Sequence, residues 1–232
     1  MCNKFKNVTH CLFDMDGLLL DTEKLYSQAT QEILDLYGKT YTWDVKVSVM
    51  GLQTQQVAEA IVAAYKLPIS WEEYAQRQRE RTEFLMTEAE LMPGAERLLR
   101  HLHANKIPIA LATSSGEHMV EIKVTHHRDV FELFHHRVCG STDPEVKAGK
   151  PSPDIFLIAA SRFLDKPDPS NCLVFEDAPN GVQAALSAGM QVVMVPDKLV
   201  TEEMRKGATQ VLKSLDDFRP EDFGLPPFPT IG

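Results

Sequence analysis

From residue 94 onward, short apolar runs alternate with longer segments in which apolar residues recur at helical spacing. Residues 107–112, 172–175 and 191–195 have the composition of buried strands, and residues 153–164 have one apolar helical face. Strands that alternate with helices form a parallel sheet that is covered by helices on both faces. The sequence therefore predicts an α/β fold whose core is a doubly wound parallel sheet.

The N-terminal part of the chain adds one strand and then departs from this alternation. Residues 11–13 form another apolar run, but residues 21–88 contain helical patterns only, including a capping-box sequence that starts at Ser70. Alternation of strands and helices begins after this stretch. We therefore predict a helical cap, residues 21–88, inserted into a sheet domain that is made of residues 1–20 and 89–232.

Composition and charge exclude several classes of partner. The chain has 232 residues. Its formal net charge of -9 argues against binding to nucleic acid polymers or to anionic membranes. Its four cysteines form no CxxC pair, and no apolar run approaches the roughly 20 residues of a membrane helix. No signal peptide is recognisable. We expect a cytoplasmic protein, with a monomer as the default state.

The first apolar run stops at two carboxylates, Asp14 and Asp16, and Gly17 follows at once. Side chains alternate along a strand, so residues at a spacing of two point the same way. Two neighbouring carboxylates are costly unless a cation or a shared proton relieves their repulsion. Two interpretations stay open for this segment alone: a strand that enters a solvated turn, or a strand that places a metal ligand and a nucleophile.

Other segments near the predicted strand ends carry unusual polar residues. They are Thr113-Ser114-Ser115-Gly116, Gly149-Lys150-Pro151 and Glu176-Asp177. Taken singly, they are typical of a loop, a surface charge and a helix start. Ligands of such sheets bind outside the carboxyl ends of the strands. The combination therefore indicates one site with carboxylates, hydroxyl donors and a cation.

The chemistry that fits this combination is phosphoryl transfer from a small phosphomonoester. Oxygen ligands from Asp14 and Asp177 favour Mg²⁺, which would neutralise the charges of the carboxylates and of the phosphate. A carboxylate nucleophile forms an aspartyl-phosphate intermediate. Thr113 and Lys150 would hold the phosphate oxygens on which charge accumulates.

In this order and at these separations, Asp14-x-Asp16-Gly17, Thr113, Lys150 and Glu176-Asp177 resemble the four motifs of the haloacid dehalogenase-like hydrolases. The resemblance implies a Rossmann-like core with a C1-type helical cap. It also implies that Asp14 is the nucleophile and that Asp16 is the acid/base. The implied phosphate-binding residues are Thr113, Ser114 and Lys150. The implied Mg²⁺ ligands are Asp14, Asp177, Glu176 (directly or through water) and the backbone carbonyl of Asp16.

Residues 13–23, 111–116 and 174–182 are most similar to a group of eukaryotic phosphatases within this superfamily that act on pseudouridine 5'-phosphate. This likeness implies hydrolysis of pseudouridine 5'-phosphate to pseudouridine and phosphate. The cap segments 43–46 and 49–51 are also similar. They make Trp43, Met50 and Gly51 the expected substrate contacts.

Alternative functions remain. Related capped phosphatases act on sugar or glycerol phosphates. A β-phosphoglucomutase-like enzyme would use a histidine in the first cap helix, where this chain has Tyr26, and cap cations, whereas residues 49–54 contain no Lys or Arg. An inactive phosphoprotein-binding module would be expected to lack some catalytic groups, and this chain retains them. These features favour hydrolysis.

Overall fold

The computed structural model describes residues 4–49 and 54–229. The chain divides into two compact units, one within Met1–Asp21 and Glu90–Gly232 and the other within Thr22–Ala89. The first unit contains the sheet, and the described part of the second consists of helices and their connections.

The described strands form a six-stranded sheet in the order β3-β2-β1-β4-β5-β6. The strands are β1 (His10–Phe13), β2 (Ile109–Thr113), β3 (His136–Cys139), β4 (Cys172–Glu176), β5 (Gln191–Met194) and β6 (Gln210–Val211). Every neighbouring pair is parallel. This arrangement confirms the predicted doubly wound parallel sheet.

The described helices are α1 (Glu23–Asp35), α2 (Trp43–Val49), α3 (Thr54–Tyr65), α4 (Trp71–Met86), α5 (Ala95–Ala104), α6 (Glu117–Lys123), α7 (Arg128–Phe131), α8 (Asp154–Ser161) and α9 (Pro179–Ser187). None of these helices is long and apolar enough to span a membrane.

The central strand β1 is buried along its whole length because sheet neighbours flank it on both sides. Phe13 pairs in register with Leu111 of β2 and with Phe175 of β4. The rings of Phe13 and Phe175 stack with centroids 4.5 Å apart. This register places the carboxyl ends of β1, β2 and β4 at nearly the same height, so residues that follow these strands meet at one edge of the sheet.

The helical unit has its own apolar core, to which Ile33, Ile61 and Tyr74 contribute fully or almost fully buried side chains. Helix α4 begins after Ser70, whose hydroxyl oxygen accepts a hydrogen bond from the Glu73 N–H at 3.2 Å. This contact confirms the predicted helix start and satisfies one of the free backbone donors of the first turn.

Short helices are the main difference from the sequence-based expectation. Helices α2 and α7 were not predicted, because segments of seven and four residues are too short to show a helical period. The sequence also predicts a helix over 117–126, whereas helix α6 ends at Lys123. In the C-terminal tail, Pro220–Phe223 forms a 3₁₀ turn in which Phe223 is fully buried.

Candidate active site

Strand β1 lies where the strand order reverses, with β2 and β3 on one side and β4 to β6 on the other. In such sheets the ligand site lies outside the carboxyl ends of the strands at this point. Asp14 directly follows β1, Thr113 ends β2 and Glu176 ends β4, and all three are buried. The Asp14 N–H donates to the Phe175 carbonyl at 3.0 Å, which anchors the residue to the sheet.

Lys150 joins two of these strand ends through its ammonium group. Its Nζ lies 2.5 Å from Asp14 Oδ1, 2.6 Å from Glu176 Oε1 and 3.2 Å from the Ala112 carbonyl oxygen. The side chains of Lys150, Asp14 and Glu176 are only 8%, 9% and 1% exposed. Because an unpaired buried charge is strongly destabilising, each member of this trio depends on the others.

Burial and neighbouring charges shift the pKa values of Asp14 and Lys150. Burial raises the pKa of Asp14 to about 7; the Lys150 ammonium opposes this shift, and the Glu176 and Asp16 carboxylates add to it. Burial alone would lower the pKa of Lys150. The neighbouring carboxylates of Asp14 and Glu176 outweigh that effect and raise the pKa of the ammonium above its ordinary value.

Glu176 is held in place by the start of helix α9. Its Oε2 accepts hydrogen bonds from the backbone N–H groups of Asp177 at 3.0 Å and Ala178 at 3.1 Å. Gly181 leaves the space that this carboxylate occupies, since a Cβ on Gly181 would lie 1.8 Å from Glu176 Oε1. Glu176 therefore supports Lys150 and Asp177 at the same time.

Asp14, Glu176 and Asp177 form an acidic cluster that fits a divalent cation. One carboxylate oxygen from each lies within 4.8 Å of those of the other two. Gly17 makes room for this cluster: its φ is +77°, and a Cβ there would lie 2.3 Å from Asp177 Oδ2. A set of carboxylate oxygens matches the ligand preference of Mg²⁺ and Ca²⁺.

Asp16 has a different cation from Asp14. Its Oδ1 lies 2.5 Å from the Nζ of Lys123, and its Oδ2 accepts a 2.9 Å hydrogen bond from the Ser115 hydroxyl. The Asp16 side chain is 24% exposed, while that of Lys123 is fully buried. The two aspartates of the motif thus have separate partners and distinct environments.

Lys123 is a site residue that was not among those predicted from the sequence. This residue lies on helix α6 three positions after Val120 and directly before Val124, and all three side chains are buried. A lysine on the apolar face of a helix was the signal that could have indicated it, because lysine is rarely fully buried without a partner.

The phosphate-binding candidates differ in exposure. Thr113 is fully buried, and its Oγ1 accepts a hydrogen bond from the Ser115 N–H at 3.1 Å. Ser114 is exposed, and its carbonyl accepts a 2.6 Å hydrogen bond from the Ser141 hydroxyl. The structure thus brings Asp14, Asp16, Thr113, Lys150, Glu176 and Asp177 to one edge of the sheet, with Ser114 on the adjoining loop.

The substrate-contact candidates belong to the helical unit. Trp43 starts helix α2 and is 44% exposed, and the Nζ of Lys46 lies 6.0 Å from its ring centroid. Met50 and Gly51 lie outside the described residues. The proposed roles of all three stay predictions.

Comparison with known proteins places the chain in a family. The family model "Hydrolase: haloacid dehalogenase-like hydrolase" matches residues 8–189, a range that contains all of the motifs described above. A Drosophila melanogaster protein named "Probable pseudouridine-5'-phosphatase" is 65% identical over 229 residues, which make up 98% of this chain and 99% of that protein.

More distant similarities extend to other activities. "(DL)-glycerol-3-phosphatase 1, mitochondrial" from Arabidopsis thaliana is 48% identical over 225 residues, 96% of this chain and 75% of that protein. The crystal structure of beta-phosphoglucomutase (pgmB) from Clostridium difficile matches with a TM-score of 0.67 and 25% identity, covering 91% of this chain and 93% of that one. The family-model match and the near full-length identity to the Drosophila protein agree with the geometry of the site: this chain belongs to the haloacid dehalogenase-like hydrolases.

Proposed function

We propose that this protein is a Mg²⁺-dependent phosphatase that hydrolyses a small phosphomonoester through a phosphorylated Asp14, with pseudouridine 5'-phosphate as its preferred substrate. The observation that carries the proposal is the buried group of Asp14, Lys150 and Glu176 at the end of the central strand. A buried carboxylate with a fixed ammonium beside it suits attack on a phosphorus atom whose oxygens are negatively charged.

In the first step, a carboxylate oxygen of Asp14 forms a bond to phosphorus while the bond between phosphorus and the ester oxygen breaks. The leaving alkoxide takes its proton from the carboxyl group of Asp16. Lys150 and the Thr113 hydroxyl hold the phosphoryl oxygens during the transfer. When bound by Asp14, Asp177 and the Asp16 carbonyl, with Glu176 in support, Mg²⁺ supplies positive charge that offsets repulsion between nucleophile and ester.

In the second step, Asp16 acts as a base. It removes a proton from a water molecule whose oxygen bonds to phosphorus, and the acyl phosphate bond to Asp14 breaks. Inorganic phosphate leaves, the Asp14 carboxylate is restored, and Asp16 is again protonated. Over one turnover, Asp16 regains from water the proton that it gave to the alkoxide, and the phosphoryl group moves from the ester to inorganic phosphate.

The substrate assignment is supported by the name of the Drosophila protein and by its identity of 65% to this chain. Trp43, Met50 and Gly51 are the proposed substrate contacts, and the Trp43 ring is suited to stacking on the base. The name of the Arabidopsis protein, at 48% identity, favours glycerol phosphate as the second candidate substrate.

The expected result for the purified protein is Mg²⁺-dependent release of inorganic phosphate, which stops when EDTA removes the metal.

Pseudouridine 5'-phosphate and uridine 5'-phosphate carry the same ester but differ in the ring atoms that the base offers for hydrogen bonding. We expect kcat/KM to be at least about tenfold higher for pseudouridine 5'-phosphate, since one specific polar contact discriminates by at least this much. The panel includes glycerol 3-phosphate and a hexose phosphate.

The possible outcomes separate the alternatives. Equal kcat/KM for the two nucleotides would remove the preference for pseudouridine 5'-phosphate. A higher kcat/KM for glycerol 3-phosphate would establish the second candidate in its place. If no phosphate ester released phosphate in the presence of Mg²⁺, the phosphatase function itself would be wrong.

A further inference from the structure

The most unusual side chain outside the family motifs is Lys123. It is fully buried, yet it carries an ammonium group, which is costly to remove from water. Its Nζ lies 2.5 Å from Asp16 Oδ1 and 2.8 Å from the Ser115 hydroxyl oxygen. The Asp16 carboxylate therefore offsets the cost of burying the Lys123 ammonium group. Asp16 is also the residue to which the proposed mechanism assigns proton transfer.

These contacts form a closed arrangement of three side chains. Lys123 donates to Asp16 Oδ1 and to Ser115, and the Ser115 hydroxyl in turn donates to Asp16 Oδ2 at 2.9 Å. Two different donors therefore contact the two oxygens of one carboxyl group, which restricts its rotation. A carboxyl group with a single hydrogen-bonded oxygen would have more freedom about its terminal torsion.

The same arrangement is fixed to the sheet. The Ser115 N–H donates to Thr113 Oγ1 at 3.1 Å, and Thr113 is the last residue of β2. Lys123 is the last residue of α6, whose buried face packs Val120 into the core. Both donors to Asp16 are thus held by elements of the unit that also contains Asp16.

We propose that Lys123, together with Ser115, is a positioning residue that holds the Asp16 carboxyl group in the orientation it needs for proton transfer. This inference rests on the proposed phosphatase function. The Lys123 ammonium contacts Asp16 and Ser115, so we expect its effect to fall on the part of the reaction that Asp16 serves. Correct orientation of a proton donor is a large part of its contribution to rate.

A comparison of substrates with different leaving groups distinguishes a residue that positions Asp16 from a residue that only stabilises the fold. An alkoxide must receive a proton as it leaves, whereas 4-nitrophenolate is a stable anion that leaves without one. The ratio kcat/KM reports only the steps up to release of the alcohol, so it isolates the first proton transfer. Misplacement of Asp16 should therefore slow an alkyl ester much more than a nitrophenyl ester.

The test compares Lys123→Met with the wild-type protein on two substrates in the presence of Mg²⁺. For glycerol 3-phosphate or pseudouridine 5'-phosphate, whichever the wild type hydrolyses faster, we expect kcat/KM to fall by about 10²-fold, while 4-nitrophenyl phosphate loses less than about threefold. Inhibition by inorganic phosphate should be unchanged, because phosphate binding is assigned to other residues. Lys198→Met, which replaces an exposed lysine, is the matched control and should resemble wild type.

Methionine fills nearly the same volume as lysine without its charge, and thermal unfolding shows whether the variant is folded. If Lys123→Met does not fold, Ser115→Ala tests the positioning role in its place. This variant removes one donor to Asp16 at a partly exposed position. We expect a smaller loss of kcat/KM from it, again selective for the alkyl ester.

Two results would contradict the account, and they are distinguishable. Wild-type protein that hydrolyses neither ester with Mg²⁺ would overturn the proposed function. An active wild type with variants that lose activity equally on both esters, or on neither, would overturn the positioning role and leave the proposed function intact.

Discussion

Asp14→Asn is expected to reduce kcat by about 10⁴-fold or more, because the amide cannot act as the nucleophile that forms the acyl phosphate. The substitution is nearly isosteric and leaves Glu176 beside the buried Lys150 ammonium, so the charge of Lys150 keeps a partner. The loss should therefore appear in turnover and not in folding. Steady-state phosphate release and thermal unfolding of the same preparation check both statements.

Asp217→Asn provides the matched control, since it makes the same chemical change at an exposed position. This variant should keep wild-type kcat and KM. Retention of more than about a tenth of wild-type kcat by a folded Asp14→Asn protein would show that another group attacks phosphorus.

Gly17→Ala is expected to weaken metal activation strongly, because the new Cβ would lie 2.3 Å from Asp177 Oδ2 and force this carboxylate to move. Displacement of a metal ligand or its support typically costs 10- to 100-fold in affinity or activity, so the Mg²⁺ concentration for half-maximal rate should rise by about that factor. The measurement is the rate of phosphate release as a function of Mg²⁺ concentration.

Gly189→Ala is the control that distinguishes the effect of the Cβ contact with Asp177 from the effect of backbone strain. Gly17 and Gly189 both have a φ of +77°, but a Cβ on Gly189 meets nothing within 4 Å. Alanine in this left-handed conformation costs about 1–2 kcal/mol of stability at either position. Gly189→Ala should show only that loss. If both variants required the same Mg²⁺ concentration as wild type, Asp177 would not be a ligand of the activating metal.

Much of the fold was predictable because its signals are local. Buried strands such as β2 and β4 are continuous apolar runs, and their alternation with helices predicts a parallel sheet. The site candidates followed from one geometric rule, that residues at the carboxyl ends of neighbouring strands meet. Asp14 and Glu176 obey it directly, since the residues before them, Phe13 and Phe175, are paired in register.

The remaining features depend on contacts between distant parts of the chain. The apolar face of α6 indicates that Lys123 is buried, but the local sequence does not identify its partner, Asp16, which is 107 residues away. Position 181 requires glycine because the Glu176 carboxylate occupies the space that a Cβ would fill, and the sequence does not show where that carboxylate lies. The short helices α2 and α7 are stabilised by packing rather than by their own periodicity, so pattern analysis does not detect them.

The most direct test of the account is identification of the phosphorylated residue during turnover. Wild-type protein is mixed with Mg²⁺ and substrate, quenched in acid within the first turnover, digested and analysed by mass spectrometry. We expect one phosphoryl group on the peptide that contains Asp14, as an acyl phosphate that forms and decays with the turnover rate and is absent from Asp14→Asn. Full turnover with no phosphoryl group on Asp14, or with the group on another residue, would contradict the central claim.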